Sequence, residues 1–214
     1  MKKKSIMEES LDFRQQRILL VAAELFLKKG LNEVKMTDIA EAAGIGVASL
    51  YRYYRTKTAI AIRAGTILWK DTETLFRDEF EQSDYAERTG LEQIAAQFDY
   101  LLRFYREHRD FVSFLDAFDA LMLAEKVPPE ELRDYEAGIV DLKSQFLLSC
   151  GKGQKDGSIR EGLNYQVIYL AATHALTAMA QKFGRGPILP GDRETEPSEE
   201  LKQMKDMLTA YLAA

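Results

Sequence analysis

With 214 residues, 46% of them hydrophobic and 29% charged, the chain has the balance of a soluble globular protein, which sets aside disordered and fibrous classes and leaves room for a small domain plus a medium one. It holds no long uncharged apolar run, its basic start Met1–Lys4 leads into Glu8, Glu9 and Asp12 rather than a signal region, and its one cysteine, Cys150, suits helix packing and allows no internal disulfide, so a cytoplasmic location away from membranes is expected. The net charge of −5 is uneven: residues 1–57 hold 11 Lys or Arg against 7 Asp or Glu, and residues 58–214 hold 18 against 27, an asymmetry that suits a nucleic-acid reader on an acidic body, although solvated faces alone can produce it.

Taken in chain order, Ile18, Val21, Ala22, Leu25 and Phe26 recur at three- and four-residue intervals, which predicts an amphipathic helix over Leu11–Lys29 closed by Gly30. A short helix follows over Met36–Ala43 with Ile39, Ala40 and Ala43 on one face. Gly44 can take the left-handed conformation that ends it, and Ile45 can pack back as the next apolar contact. Another short helix, Val47–Tyr53, begins almost at once. A long fourth helix from Lys57 to about Glu81 carries Ile60, Ala64, Ile67, Leu68, Leu75 and Phe76 and can link two domains. Behind it, helices are predicted over residues 91–106, 109–125, 129–150, 164–183 and 199–212. Breaks fall at 83–90, 126–128, 151–157 and 184–197, the last being rich in Gly, Pro and charge and expected to be a mobile loop. Without strand alternation or an internal repeat, the expectation is an all-α fold. Residues 1–57 would form an N-terminal three-helix domain with a helix-turn-helix, and residues 58–214 a larger C-terminal helical domain.

Two short helices joined by a tight glycine-containing turn can set the second across the first and into a major groove. At the start of that second helix, Gly46 and Ala48 let the backbone come close to DNA, while Val47 and Ser49 offer a methyl contact and a hydroxyl to base edges. Tyr51 and Tyr53 can reach phosphates or the groove wall. Lys57, at the start of the fourth helix, can hold a phosphate with the free helix amides, and Thr37 in the first turn of the second helix can do the same. Leu50 and Tyr54 share a face four residues apart and are assigned to packing.

The block Asp38-Ile-Ala-Glu-Ala-Ala-Gly44, followed by Ser49-Leu-Tyr-Arg-Tyr-Tyr54 and by Lys57, closely resembles the DNA reader of the TetR family, as does Ile18–Phe26 followed by Gly30. The sharp resemblance covers about residues 13–64 and is one of helical architecture beyond. Gly46 stands where many relatives have Ser, and Val47 where they have a lysine or similar polar residue, so a different operator is expected. The resemblance implies a transcriptional regulator, usually a ligand-released repressor. It implies that the protein acts as a homodimer on a palindromic double-stranded operator, with a ligand pocket and a four-helix dimer bundle in its C-terminal part.

The sequence agrees in part. Ala171, Ala172, Ala175, Ala178 and Ala180 make the 164–183 helix narrow, and Leu201, Met204, Leu208 and Tyr211 give the last helix one apolar stripe, although internal packing would use the same residues. Aromatic side chains are dense, and Trp69, Tyr100, Phe104, Phe114, Asp116, Phe118, Tyr135 and His174 are the residues picked out to line a pocket for an unidentified small molecule, on the mixture of apolar walls and few polar groups that such pockets show. Core packing, and for His174 a buried or interfacial place without ligand, is the alternative. No phosphate loop, His-x-x-x-His spacing, nucleophile elbow or cysteine cluster gathers the dispersed carboxylates and two histidines. Neither catalysis, a metal nor a cofactor is expected. A helical protein-interaction adaptor is the remaining alternative class.

Overall fold

The computed structural model describes the backbone of residues 6–80 and 84–214, with all their side chains except those of 6–12, 73–75, 78 and 79. Met1–Lys4, Glu81 and Ser83, together with the side chains of Leu11 and Leu75, lie outside the described residues. The described chain is helical and contains no strand: α1 Ile6–Lys29, α2 Met36–Ala43, α3 Val47–Tyr54, α4 Lys57–Phe80, α5 Gly90–Glu107, α6 Arg109–Ala124, α7 Arg133–Glu136, α8 Leu142–Asp156, α9 Tyr165–Arg185 and α10 Pro197–Leu212. Among the described residues, no helix is long and apolar enough to cross a membrane.

Two expectations are corrected. The helix predicted over 129–150 is a 3-10 turn at Pro129–Leu132, the single turn of α7, a break, and then α8, which continues through Gly151 and Gly153 to stop at Gly157. Gly157 has φ +77°, the left-handed value that closes a helix without a Cβ penalty. The segment 184–197, expected to be a mobile loop, carries a 3-10 turn at Pro190–Arg193. Asp192 organises it by accepting hydrogen bonds from the amides of Ile188 and Leu189 at 3.0 Å each and from the Lys182 ammonium at 2.8 Å.

Contacts divide the chain into two units, one running through Thr72 and taking in Ser113–Ile139, the other made of Glu73–Val112 and Val140–Ala214. In the first, the periodic apolar residues of the sequence are the ones that leave water: Ile18, Ala22 and Phe26 of α1, Ile39 and Ala40 of α2, and Leu50 and Tyr54 of α3. Each large side chain so buried contributes about 1.5–3 kcal/mol. Further along, Phe26 stacks on Phe114 and Phe114 packs against Phe118. Phe118 in turn stacks on Tyr135 at 4.4 Å, and the Trp69 indole N–H donates to the Tyr135 hydroxyl at 3.0 Å.

In the second unit α5 packs against α8, α9 and α10. Thr89 and Glu92 form a capping box that starts α5, and its first amide, Gly90 N–H, donates to the Asp156 carboxylate at 2.8 Å. Hydrogen bonds from Ser158 and then Gly90 hold that carboxyl below the usual carboxylate range. Gln97, buried inside, donates to the Tyr85 hydroxyl and the Ser149 hydroxyl at 2.9 Å each, so burial leaves its amide satisfied. The Tyr105 and Thr177 hydroxyls lie 2.7 Å apart between α5 and α9, with burial pushing the Tyr105 phenol up to about 12. The Lys205 ammonium of α10 donates to Asp99 of α5 at 2.7 Å.

Candidate nucleic-acid interface

The turn between α2 and α3 is built by its own backbone. Gly44 sits at φ +67°, its amide and that of Ile45 return to the last carbonyls of α2, and the Ile45 amide reaches Ala40 at 3.0 Å. A side chain at Gly44 would be strained in this conformation, which is why glycine terminates α2 here. At the other end of α2, the Asp38 carboxylate accepts from the Lys35 amide at 2.9 Å. Gly46 then caps α3 in extended conformation, and a Cβ there would meet nothing within 4 Å.

Anchoring of α3 comes from one face only. Leu50 is 0% exposed and Tyr54 3%, and the Tyr54 hydroxyl donates to the Gln15 carbonyl on α1 at 2.8 Å. Burial raises the Tyr54 pKa, against the pull of Arg63, whose guanidinium stands 5.4 Å from the ring centre. The opposite face is open: Gly46, Val47, Ala48, Tyr51 and Arg52 are exposed, Ser49 and Tyr53 half-buried, and Tyr51 is 49% exposed. Thr37 is exposed in the first turn of α2. Arg52 escaped the sequence reading. It stands one helical turn after Ala48 with its guanidinium 5.5 Å from the Tyr53 ring centre, and the signal that could have found it was that i, i+4 spacing from a residue expected to lie against DNA.

Lys57 is half-buried at the first position of α4, and its ammonium donates to three carbonyl oxygens of the α1–α2 connector: Leu31 at 2.9 Å, Asn32 at 3.3 Å and Val34 at 3.1 Å. The sequence reading gives this ammonium to a phosphate; in the folded chain its three donors already have partners. The Thr56 hydroxyl caps α4 by accepting from the Ala59 amide at 3.0 Å.

The residues picked out for a ligand pocket fall into two groups. Trp69, Phe114, Phe118 and Tyr135 are brought together in the first unit, where Asp116 is half-buried on α6. In the second unit Tyr100 stacks on Phe104 at 6.3 Å, and His174 is exposed on α9. Among the described residues no three His, Cys, Asp or Glu side chains converge as a metal site would require.

Residues 18–64, the segment that contains α2 and α3, match the family model of bacterial regulatory proteins, tetR family. Over 103 residues the chain is 28% identical to the HTH-type transcriptional regulator SAR2658 of Staphylococcus aureus (strain MRSA252), a match covering 48% of this chain and 54% of that one. The chain thus spans about half the length of the curated relatives it matches. Its fold is similar to that of FadR from Thermus thermophilus, a TetR-family transcriptional repressor solved in complex with lauroyl-CoA, with a TM-score of 0.62 and 18% identity over 94% of this chain and 95% of that one. A TetR-family regulator from Rhodococcus sp. gives a TM-score of 0.64 and 18% identity over 92% and 98% of the two chains. Residues 18–64 thus match the tetR-family helix-turn-helix segment in sequence, and the all-helical fold is similar along nearly the whole chain to that of TetR-family regulators.

Proposed function

We propose that the protein is a transcriptional regulator that binds an inverted-repeat DNA operator as a homodimer and releases it when a small molecule binds its helical body. The observation that carries DNA binding is the two-faced α3, with Leu50 and Tyr54 buried and the Tyr54 hydroxyl bonded to α1, while Val47, Ala48, Tyr51 and Arg52 are exposed. A short helix so presented fits the major groove. In this reading Ser49 and Val47 meet base edges, and Tyr51, Tyr53, Arg52 and Thr37 meet phosphates and the groove wall. Lys57 serves the reader from behind by fixing the connector that enters α2.

Dimerisation is supported by α9 and α10, which pack on each other and leave a mostly apolar set uncovered: Val167, Leu170, Ala171 and Ala178, with the polar His174 among them, on one, and Met207 and Tyr211 on the other. These recur at three- and four-residue spacing, the stripe a helical bundle seam needs. One reader alone would contact too few base pairs for useful specificity, and two related by a twofold axis call for two half-sites. Ligand release is supported by the fold's likeness to a repressor that holds an acyl-CoA, and by α4, which runs unbroken from Lys57 at the reader to Phe80.

Selection of bound sequences from a random duplex pool tests the function. An inverted repeat is expected, and its affinity should fall steeply with added salt. Failure to enrich any duplex sequence at low salt would overturn the reading.

A further inference from the structure

The second unit contains a cavity of about 540 Å³ between α5, the start of α6, the end of α9 and the first turns of α10. Its volume lies in the range that small ligands occupy. Its floor is apolar, formed by the buried side chains of Tyr105, Val112, Ala180 and Leu201. Its walls are cationic: Arg103, Arg106, Arg109, Lys202 and Lys205 line it, against the two carboxylates of Asp99 and Glu199. Lys205 is paired with Asp99 at 2.7 Å and approaches Asp206 at 3.8 Å, Arg106 pairs with Glu107 at 3.1 Å, the Arg103 guanidinium stands 5.9 Å from the Tyr100 ring centre, and Arg109 is engaged as well. The lining nevertheless sums to a positive charge, in a stretch of sequence where residues 58–214 carry 18 basic against 27 acidic side chains.

Five cations against two carboxylates thus surround an apolar floor. The cavity is distinct from the aromatic cluster of Trp69, Phe114, Phe118 and Tyr135: of the residues picked out from the sequence as pocket-lining, Tyr100 alone lines this cavity. We propose that this cavity binds an amphiphilic anion, with a carboxylate or phosphate head held among Arg103, Arg109 and Lys202 and an apolar tail laid over Tyr105, Val112 and Leu201. Guanidinium groups offer planar pairs of donors that match either head group, and charge-assisted bonds of this kind strengthen as the tail excludes water. As the place of the effector, the site rests on the sensing function proposed above; as a binding site, it does not.

Titration calorimetry of the full chain without DNA tests the site. The probes are decanoate, decyl phosphate, decan-1-ol and inorganic phosphate. Decanoate, decyl phosphate or both should bind, and the stronger of the two names the head group. Decan-1-ol and inorganic phosphate should bind about ten-fold or more weakly, the scale set by one charge-assisted hydrogen bond or by the lost tail. Lys202→Glu reverses an exposed charge without touching the core and should weaken the bound anion by about ten-fold or more. Lys155→Glu, on the exposed last turn of α8, should leave binding unchanged. Equal binding of decan-1-ol, an unaltered Lys202→Glu variant, or no binding of either anion would overturn the proposal. Adding the probe to the operator complex separates the two readings. Binding without operator release sinks the sensing function and leaves the site standing, whereas release by some other molecule with no binding here does the reverse.

Discussion

Gly90 at the head of α5 lies directly on the backbone of Gly153 in α8, so that a Cβ built on Gly90 would overlap the Gly153 amide and the Ser149 carbonyl. Backbone cannot step aside as a flexible side-chain tip can. Gly90→Ala should therefore destabilise the protein by about 1–3 kcal/mol, the usual cost of overpacking. Gly153→Ala would press on the Ile159 side chain and should also destabilise. Gly151, in the same helix, has nothing within 4 Å of its Cβ position, and Gly151→Ala should stabilise by about 0.5–1 kcal/mol through helix propensity. Urea unfolding of the three variants checks the contrast.

Lys57 separates a positioning role from direct DNA contact. Lys57→Met keeps most of the stem and removes the three bonds to the connector carbonyls, and should cost about 1–2 kcal/mol of stability, discounted for partial exposure. Operator affinity should drop with the salt slope unchanged. A slope reduced by about 1 would instead assign the ammonium to a phosphate.

Asp192 has its carboxyl held down to about 2, first by the Leu189 amide, then by the Lys182 ammonium and the Ile188 amide. An unfolded aspartate titrates near about 3.9. The folded value is the lower, so its contribution is present above the unfolded pKa and is lost as pH falls through the folded one. The stability gap between the protein and Asp192→Asn should accordingly be constant at about pH 5 and above and shrink towards about pH 2. A gap that ignores pH would detach Asp192 from the 188–193 turn.

Ala171 lies exposed in the middle of the α9 stripe. Ala171→Arg should leave the single chain folded and convert the proposed dimer to a monomer at micromolar concentration, because a charge forced into an apolar seam commonly costs several kcal/mol. Light scattering with circular dichroism reads both outcomes, and a mutant that remains dimeric moves the seam elsewhere.

Cys150 is buried, and burial pushes its thiol up to about 12, so at neutral pH almost none of it is thiolate, the reactive form. The native protein should resist a thiol reagent that reacts at once with the urea-unfolded chain. Prompt labelling of the folded form would show that α8 opens readily.

The helix-turn-helix was legible in the sequence because its determinants are local. Met36–Ala43 and its stop at Gly44 need only apolar spacing and one left-handed residue, and both stand where they were predicted. The bounds of α8 were hidden because Gly151 and Gly153 read as breakers. At Gly153 the helix is kept by tertiary packing, since a bare backbone is needed against Gly90 and Ile159. The partners of Lys57 were equally hidden, lying 23 to 26 residues back along the chain. The cationic cavity collects residues from four separate helices, none of which carries a motif.

The division of α3 between two faces bears on how such a protein changes over generations. Leu50 and Tyr54 carry the attachment, while the Cβ position of Gly46 is uncrowded and Val47, Ala48, Tyr51 and Arg52 have little packing duty. Surface substitutions away from structural features usually move stability by less than about 0.5 kcal/mol. If α3 reads DNA as proposed, gene duplicates drift to new target sites one exposed position at a time without passing through an unfolded ancestor, and specificity and foldedness are inherited as nearly independent traits.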